Sequence, residues 1–292
     1  MGMMLKRENI LPKKLYRGFL MLTCSWQGAR VAEGSLLFKV HDVPESQKLP
    51  LIWCGGPPEM ETIISAFGQE RSIYGLRGTY DYAETSDLVI HSLSQYYADE
   101  IERAIPSDTY LIAGYCAAAM ISMEVATILT KRGYKIGFLG LIDRDVTEKT
   151  LPLKIARKFF EHFDDRIGAR IHAYFEEFKK QSLKINLVNC FKVLKIRLND
   201  QAPESDPRDL IKYKKEPNEA WYELKPYPGK ISLIYIRWAV FGYFQLGFFR
   251  NYWRKIALGG FTVDFVPGLS HKYPNWPKII DMLHRRLVET GY

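Results

Sequence analysis

An α/β domain with a mostly parallel central sheet flanked by helices, and with a helical lid insertion, is the fold class that this sequence predicts. Three observations carry it. The stretch TYLIAGYCAAAMISMEVATILTKRGYKIGFLGLID (109–143) divides into apolar run, small-residue turn, helical period and second apolar run. Strand–helix–strand at that spacing is a βαβ unit, whose two strands must run parallel. Further short apolar runs, PLIWCGG (50–56), ISLIYI (231–236) and FTVDFV (261–266), read as strands. Between 148 and about 225 the pattern turns rich in Lys, Phe and Glu with helical periodicity, which reads as an insertion into the sheet.

Taken in order, residues 1–33 are basic and irregular and are expected to be a leader or linker, with one domain over 34–292 and its lid over about 148–225. SLLFKV (35–40) is strand-like, 59–69 reads as a helix, RSIYGLRG (71–78) as a strand and loop, and Ser86 to Ile105 as a helix. Within the βαβ unit the divisions fall at 109–113, 114–118, 119–132 and 136–142, with Gly133 where a helix C-terminal cap belongs. The chain closes on a helix from Pro277 to Glu289.

Composition narrows the function classes. The chain of 292 residues is 47% apolar and 25% charged, the balance of an ordinary water-soluble globular domain. A formal charge of +8 invites nucleic acid or membrane, yet 33 acidic residues are interspersed among 41 basic ones with no long block of one sign. No zinc-finger spacing and no RNP-type sequence is present, so nucleic acid is not expected. No run is apolar and long enough for a transmembrane helix, and the stretch Gly18 to Cys24 is too short and too far in for a signal peptide. Cys24, Cys54, Cys116 and Cys190 are widely spaced without a C-x-x-C pair, which suits neither a disulfide framework nor a zinc site. A reducing, cytoplasmic location is expected, where a thiol stays available for chemistry.

The turn Gly114-Tyr115-Cys116-Ala117-Ala118 has the form of a nucleophile elbow, which lifts a side chain above the sheet between strand and helix. Small residues two before and two after the nucleophile let strand and helix approach. The helix that starts there aims N–H groups at the thiol, favouring thiolate and stabilising an oxyanion. The Ala117 N–H is one expected oxyanion donor. The second is expected from the loop Gly55 to Glu59, with Gly56 as the candidate. Asp143 ends the next apolar run and His271 follows the last one, in PGLSHKYP; Asp145 is a spare acid. Nucleophile, acid, histidine is the chain order of the α/β-hydrolase fold, with each residue at the C-terminal end of a strand. His41, His91, His162, His172 and His284 read as loop or helix-surface residues.

With these residues in place, the chain resembles the thioesterase domains of nonribosomal peptide and polyketide synthases, from about residue 35 to its end. SLLFKV…LPLIWCGG is similar to that family's opening strand and oxyanion loop, and IYGLRG (73–78) to its Y-G-L segment. YLIAGYCAAAMISMEVATILTKRGYKIGFLGLID resembles its elbow, helix and acid-bearing strand. YPGKISLIYIRW (227–238) resembles the strand after its lid, and WRKIALGGFTVDFVPGLSHKY (253–273) the segment carrying its histidine. The resemblance implies an acyl thioester substrate on the phosphopantetheine arm of a carrier protein, and a triad of Cys116, Asp143 and His271. No metal or redox cofactor is called for. Three departures stand out: cysteine replaces the usual serine nucleophile, Ala118 replaces the last elbow glycine, and CGGPPE replaces a histidine-containing oxyanion loop.

Cysteine changes the energetics. A serine converts a thioester to a lower-energy oxyester, whereas a cysteine exchanges thioester for thioester and keeps the acyl group activated. Hydrolysis or cyclisation by a thioesterase is the first expectation. The alternatives are transfer to a carrier thiol, amine or hydroxyl, and a silent binding protein that keeps the fold. Basic residues along KKQSLKINLVNCFKVLKIRL (179–198) suit either a carrier-docking helix or a plain solvated face.

Overall fold

The computed structural model describes residues 11–24, 26–79, 82–143, 220–236, 250–266 and 274–292. Its sheet is built from the runs that the sequence marks as apolar. In chain order the elements are α1 (Lys13–Leu22), β1 (Ala29–Arg30), β2 (Phe38–His41), β3 (Leu51–Gly55), α2 (Pro57–Phe67), β4 (Ile73–Arg77), α3 (Asp87–Ala104), β5 (Thr109–Tyr115) and α4 (Ala118–Lys131). There follow β6 (Lys135–Ile142), β7 (Ile231–Ile236), β8 (Phe261–Val266) and, with Pro277 in its first turn, α5 (Trp276–Glu289). A further helical stretch spans 250–256.

The eight strands lie in the order β1-β2-β4-β3-β5-β6-β7-β8. β1, β2 and β4 pair antiparallel, and every pair from β4 across to β8 is parallel. β3 and β7 are buried at every residue, because helices cover both faces of a parallel sheet. On one face α3, α4 and α1 pack with Ile52, Leu76, Ile112, Leu139 and Leu233. On the other, α2 and α5 pack with Leu51, Trp53, Leu111 and Ile234 through Met60, Ile63, Phe67, Ile279, Leu283 and Leu287. α4 is buried from Ala118 to Leu129, so its apolar run reaches all round rather than along one stripe.

The parallel strands bring the C-terminal residues Gly55, Arg77, Tyr115, Ile142, Ile236 and Val266 to one edge of the sheet. The chain leaves β3 to one side for β4 and then returns to β3's other side as β5. The crevice between β3 and β5 is therefore a topological switch point, where open α/β sheets hold their sites.

Residues 11–33 correct an expectation. Rather than a leader or linker, they form α1 and β1, part of the packed body. Leu11, Leu15 and Phe19 are buried in the main core, and Ala29 and Arg30 pair with Lys39 and Phe38. Leu15 and Phe19, four residues apart, lie on one face of α1 just after the buried Leu11, and the interleaved lysines and arginines mask that period in the composition. Gly18 lies under the Tyr82 ring, where a Cβ would overlap the hydroxyl.

Elsewhere expectation and structure agree closely. α2 begins two residues early because Pro57 and Pro58 suit the first turn, whose N–H groups need no partner. Gly133 takes φ +93°, as its capping place requires. Most of the expected lid, like the spare acid Asp145, lies outside the described residues. Its last part, 220–225, is docked on the start of α3: the Asp87 N–H donates to the Ala220 carbonyl and the Tyr222 N–H to the Thr85 carbonyl, each at 2.9 Å. Among the described residues no helix is long and apolar enough to cross a membrane.

Candidate active site

Cys116 follows β5 directly and takes φ +54°, in the left-handed region that side-chain-bearing residues rarely occupy. This is the strained turn that a nucleophile elbow needs. Its N–H donates to the Ile142 carbonyl at 2.8 Å, and its own carbonyl accepts the Ala119 N–H at 3.1 Å. The first contact ties the elbow to the end of β6, and the second starts α4. At Gly114 an added Cβ would stand 2.2 Å from Ser122 Oγ and 3.1 Å from Ala119 Cα, so only glycine lets the strand meet the helix there.

The same close approach explains how Ala118 is tolerated in place of glycine. Its methyl group faces Gly78, where a Cβ would lie 2.6 Å away. The space that a glycine at 118 would leave on the helix is provided instead on the segment that follows β4.

Asp143 is the first residue after β6. It also takes a positive φ, +50°, and is 5% exposed. Its N–H donates to the Ile234 carbonyl at 2.7 Å, and its Oδ1 accepts the Ile236 N–H at 3.3 Å. The carboxylate is thereby turned toward the end of β7, on the side of the sheet where β8 lies. His271 itself lies outside the described residues. Of the other histidines, His41 bonds the Gly68 carbonyl at 2.7 Å, His91 pairs with Glu124 at 3.0 Å, and His284 stacks on Phe67. None of these three is drawn to the elbow; His162 and His172 lie outside the described residues.

Cys54 contrasts with Cys116. It is fully buried in β3, and that burial pushes its thiol far above the ordinary range. A thiol held protonated is inert, whereas Cys116 is partly exposed at the sheet edge. No disulfide joins described cysteines.

The expected oxyanion donors differ in availability. No acceptor for the Ala117 N–H is found among the described residues. The Gly56 N–H, by contrast, donates to Glu59 Oε2 at 2.8 Å. Glu59 is 9% exposed and sits at the third position of α2, from which a glutamate reaches back to the residue before the helix. As the structure stands, Gly56 is engaged and does not offer its N–H to an oxyanion. Pro57 and Pro58, the next two residues, have no N–H to offer.

Two residues that the sequence reading did not single out thus shape this loop. One is Glu59, whose signal was the glutamate three positions after the helix-starting glycine. The other is Arg77, at the end of β4. Its backbone is clamped by Tyr97, whose hydroxyl lies 3.1 Å from the Arg77 nitrogen and 2.9 Å from its carbonyl oxygen. Its Nη1 donates to the Gly55 carbonyl at 3.3 Å. Its Nε is buried and meets no acceptor among the described residues, which costs about 1–3 kcal/mol.

A positive-φ turn at Cys116, tied to the strand that ends before Asp143 on a mostly parallel sheet, has the geometry that the sequence resemblance implied. Comparison with known families agrees: the model of the thioesterase domain matches residues 82–287, well over half of the chain. The chain belongs to the thioesterase domain family. It is accordingly an enzyme of the thioesterase class, and the matched stretch takes in Cys116, Asp143 and His271. Among curated relatives, microperfuranone synthase of Emericella nidulans is 27% identical over 47% of this chain and 16% of its own length. Nonribosomal peptide synthetase pngA of Aspergillus terreus is 32% identical over 40% of this chain and 13% of its own length. The thioesterase-family chain thus aligns with about one sixth or less of these larger synthases. Among solved structures, YbtT, a type II thioesterase from the yersiniabactin NRPS/PKS pathway, shows a distant likeness. It is 14% identical with a TM-score of 0.44, over 87% of this chain and 98% of its own.

Proposed function

We propose that this thioesterase-family enzyme forms an acyl-enzyme on Cys116 from a carrier-bound acyl or peptidyl thioester. It then releases the group by hydrolysis or cyclisation, in natural-product biosynthesis. One observation carries the reading: Cys116 stands at φ +54° between β5 and α4, hydrogen-bonded to the residue just before a buried aspartate. A strained backbone held at a sheet switch point is a cost that folding alone does not require. The kinship with a nonribosomal peptide synthetase and a microperfuranone synthase supports the substrate class.

In this mechanism the Cys116 thiolate attacks the thioester carbonyl, forming a C–S bond as the carbonyl π pair moves to oxygen. The Ala117 N–H stabilises the oxyanion. The adduct collapses by expelling the carrier's thiolate, which takes up the proton that His271 received from Cys116. His271 then deprotonates water or an internal nucleophile of the acyl chain for the second attack, and Cys116 leaves. Asp143 holds the histidine tautomer and stabilises its charged form. The carrier protein is the partner, and its phosphopantetheine arm presents the substrate.

The cysteine favours a second reading specifically. Because the acyl thioester on Cys116 stays activated, transfer to a carrier thiol, an amine or a hydroxyl would be close to balanced in free energy. The test is intact mass spectrometry after incubation with an acyl-loaded carrier, beside Cys116→Ala. An adduct present in the native enzyme and missing in the variant is the expected result, and its absence from both sinks the proposal. Decay in water alone selects hydrolysis or cyclisation, and decay only with an added acceptor selects transfer.

A further inference from the structure

We infer that the guanidinium of Arg77 is the second oxyanion-stabilising group of this site, taking the place that a main-chain N–H after β3 was expected to hold. The inference rests on the reading of Cys116 as the nucleophile.

The loop after β3 is poor in donors. The Gly56 N–H is engaged by Glu59 at 2.8 Å, and Pro57 and Pro58 have none. An oxyanion on a Cys116 adduct would meet the Ala117 N–H and, from the β3 side, no main-chain donor of residues 56–58. A charged donor lies beside that gap. Arg77 ends β4, with Gly55 as its register partner at the end of β3. Strands β4, β3 and β5 are consecutive neighbours, so β3 alone separates Arg77 from the strand that carries Cys116.

The two glycines at the end of β3 leave a path across it. A Cβ placed on Gly56 would stand 2.9 Å from Arg77 Nη1 and 2.7 Å from Glu59 Oε2. The guanidinium therefore lies over Gly56, in space that any other residue would fill. It is anchored through Nη1 to the Gly55 carbonyl at 3.3 Å, while its buried Nε meets no acceptor among the described residues. The next residue, Gly78, packs against Ala118 in the first turn of α4. The end of β4 is thus seated on the same helix start that bears the elbow. A guanidinium keeps its charge at every working pH and offers several donors in one plane, the chemistry that a developing oxyanion needs. Glu59 has a supporting part: by engaging the Gly56 N–H it fixes the loop beneath the guanidinium.

The experiment separates oxyanion stabilisation from scaffolding. p-Nitrophenyl acetate acylates the thiol through a tetrahedral oxyanion and releases p-nitrophenolate. Iodoacetamide alkylates the same thiol by displacement at saturated carbon, with no oxyanion. Both rates are measured for the native enzyme, Cys116→Ala, Arg77→Met and Arg77→Lys, with melting temperatures alongside. Arg77→Met is expected to slow Cys116-dependent acylation about 10²-fold, as loss of one oxyanion donor does. Alkylation should stay within about twofold, and Arg77→Lys should fall between, keeping the charge without the fork. With Arg77→Ala, millimolar guanidinium should restore acylation at least tenfold, which no scaffolding role explains. Acylation that is unchanged in Arg77→Met, or that falls in step with alkylation, overturns the inference. Absence of any Cys116-dependent acylation in the native enzyme instead overturns the underlying reading of the nucleophile.

Discussion

The Cys116 N–H donates to the carbonyl of Ile142 at 2.8 Å, so the elbow is fastened to the residue that immediately precedes Asp143. A parallel ladder between β5 and β6 ends in this bond, and both residues that follow it, Cys116 and Asp143, turn into positive φ. The two strands stop together, and each presents its next side chain at the sheet edge. The relative placement of Cys116 and Asp143 is therefore a property of the sheet register, not of loops.

The strain at Cys116 leads to an inverted stability order. At an ordinary position alanine is preferred to glycine, but at φ +54° a Cβ is penalised. Cys116→Gly is expected to be more stable than Cys116→Ala by about 1 kcal/mol, with both variants unable to form an acyl adduct. Chemical denaturation of the two variants checks it, and the usual alanine-over-glycine order would show that the elbow is not strained.

Ala118 and Gly78 should be coupled. Gly78→Ala would bring two methyl carbons to 2.6 Å and is expected to destabilise by about 1–3 kcal/mol while displacing the elbow. Ala118→Gly in the same chain should recover most of that loss and the acylation rate. A double-mutant cycle reads the coupling, and additivity of the two changes would show that the contact does not matter.

Tyr222 holds the chain where it rejoins the domain. Its hydroxyl donates to Glu124 Oε2 at 2.7 Å, against a carboxylate that also pairs with His91. Tyr222→Phe leaves one oxygen of a buried carboxylate unserved and is expected to cost about 1.5–3 kcal/mol. Faster hydrogen exchange at the Tyr222 and Asp87 amides should accompany it, since both bonds lie in that junction.

Cys54 gives a signature in pH. Burial raises its folded pKa, so above the unfolded thiol value of about 8.5 the unfolded chain releases a proton that the folded chain keeps. Its contribution to stability is complete below that pH and is lost as pH rises, with a slope of up to about 1.4 kcal/mol per pH unit. Denaturation at a series of pH values from 8 upward should show the slope reduced in Cys54→Ala. Under native conditions thiol reagents should label Cys116 and leave Cys54 until the protein unfolds.

The sequence by itself determined the parallel strands of the sheet and the place of the Cys116 turn among them. Short continuous apolar runs, the small-residue turn at 114–118 and the glycine cap at 133 are local signals, and local backbone preference suffices to interpret them. β7 and β8 fall on the residues expected of them, and the elbow turns where expected.

Tertiary structure alone decided the rest, because those features depend on groups brought together across the chain. Whether the Gly56 N–H is available turns on the rotamer of Glu59, and whether Arg77 can reach across β3 turns on strand order. Residues 13–22 read as a basic leader until Tyr82, in a distant segment, covers Gly18 and the core closes over Leu15 and Phe19. The departure at Ala118 reads as a defect until Gly78 is placed opposite it. Periodicity reports which face of an element is apolar; it carries no information about which polar groups meet at the sheet edge. That depends on register and side-chain contacts between residues tens of positions apart.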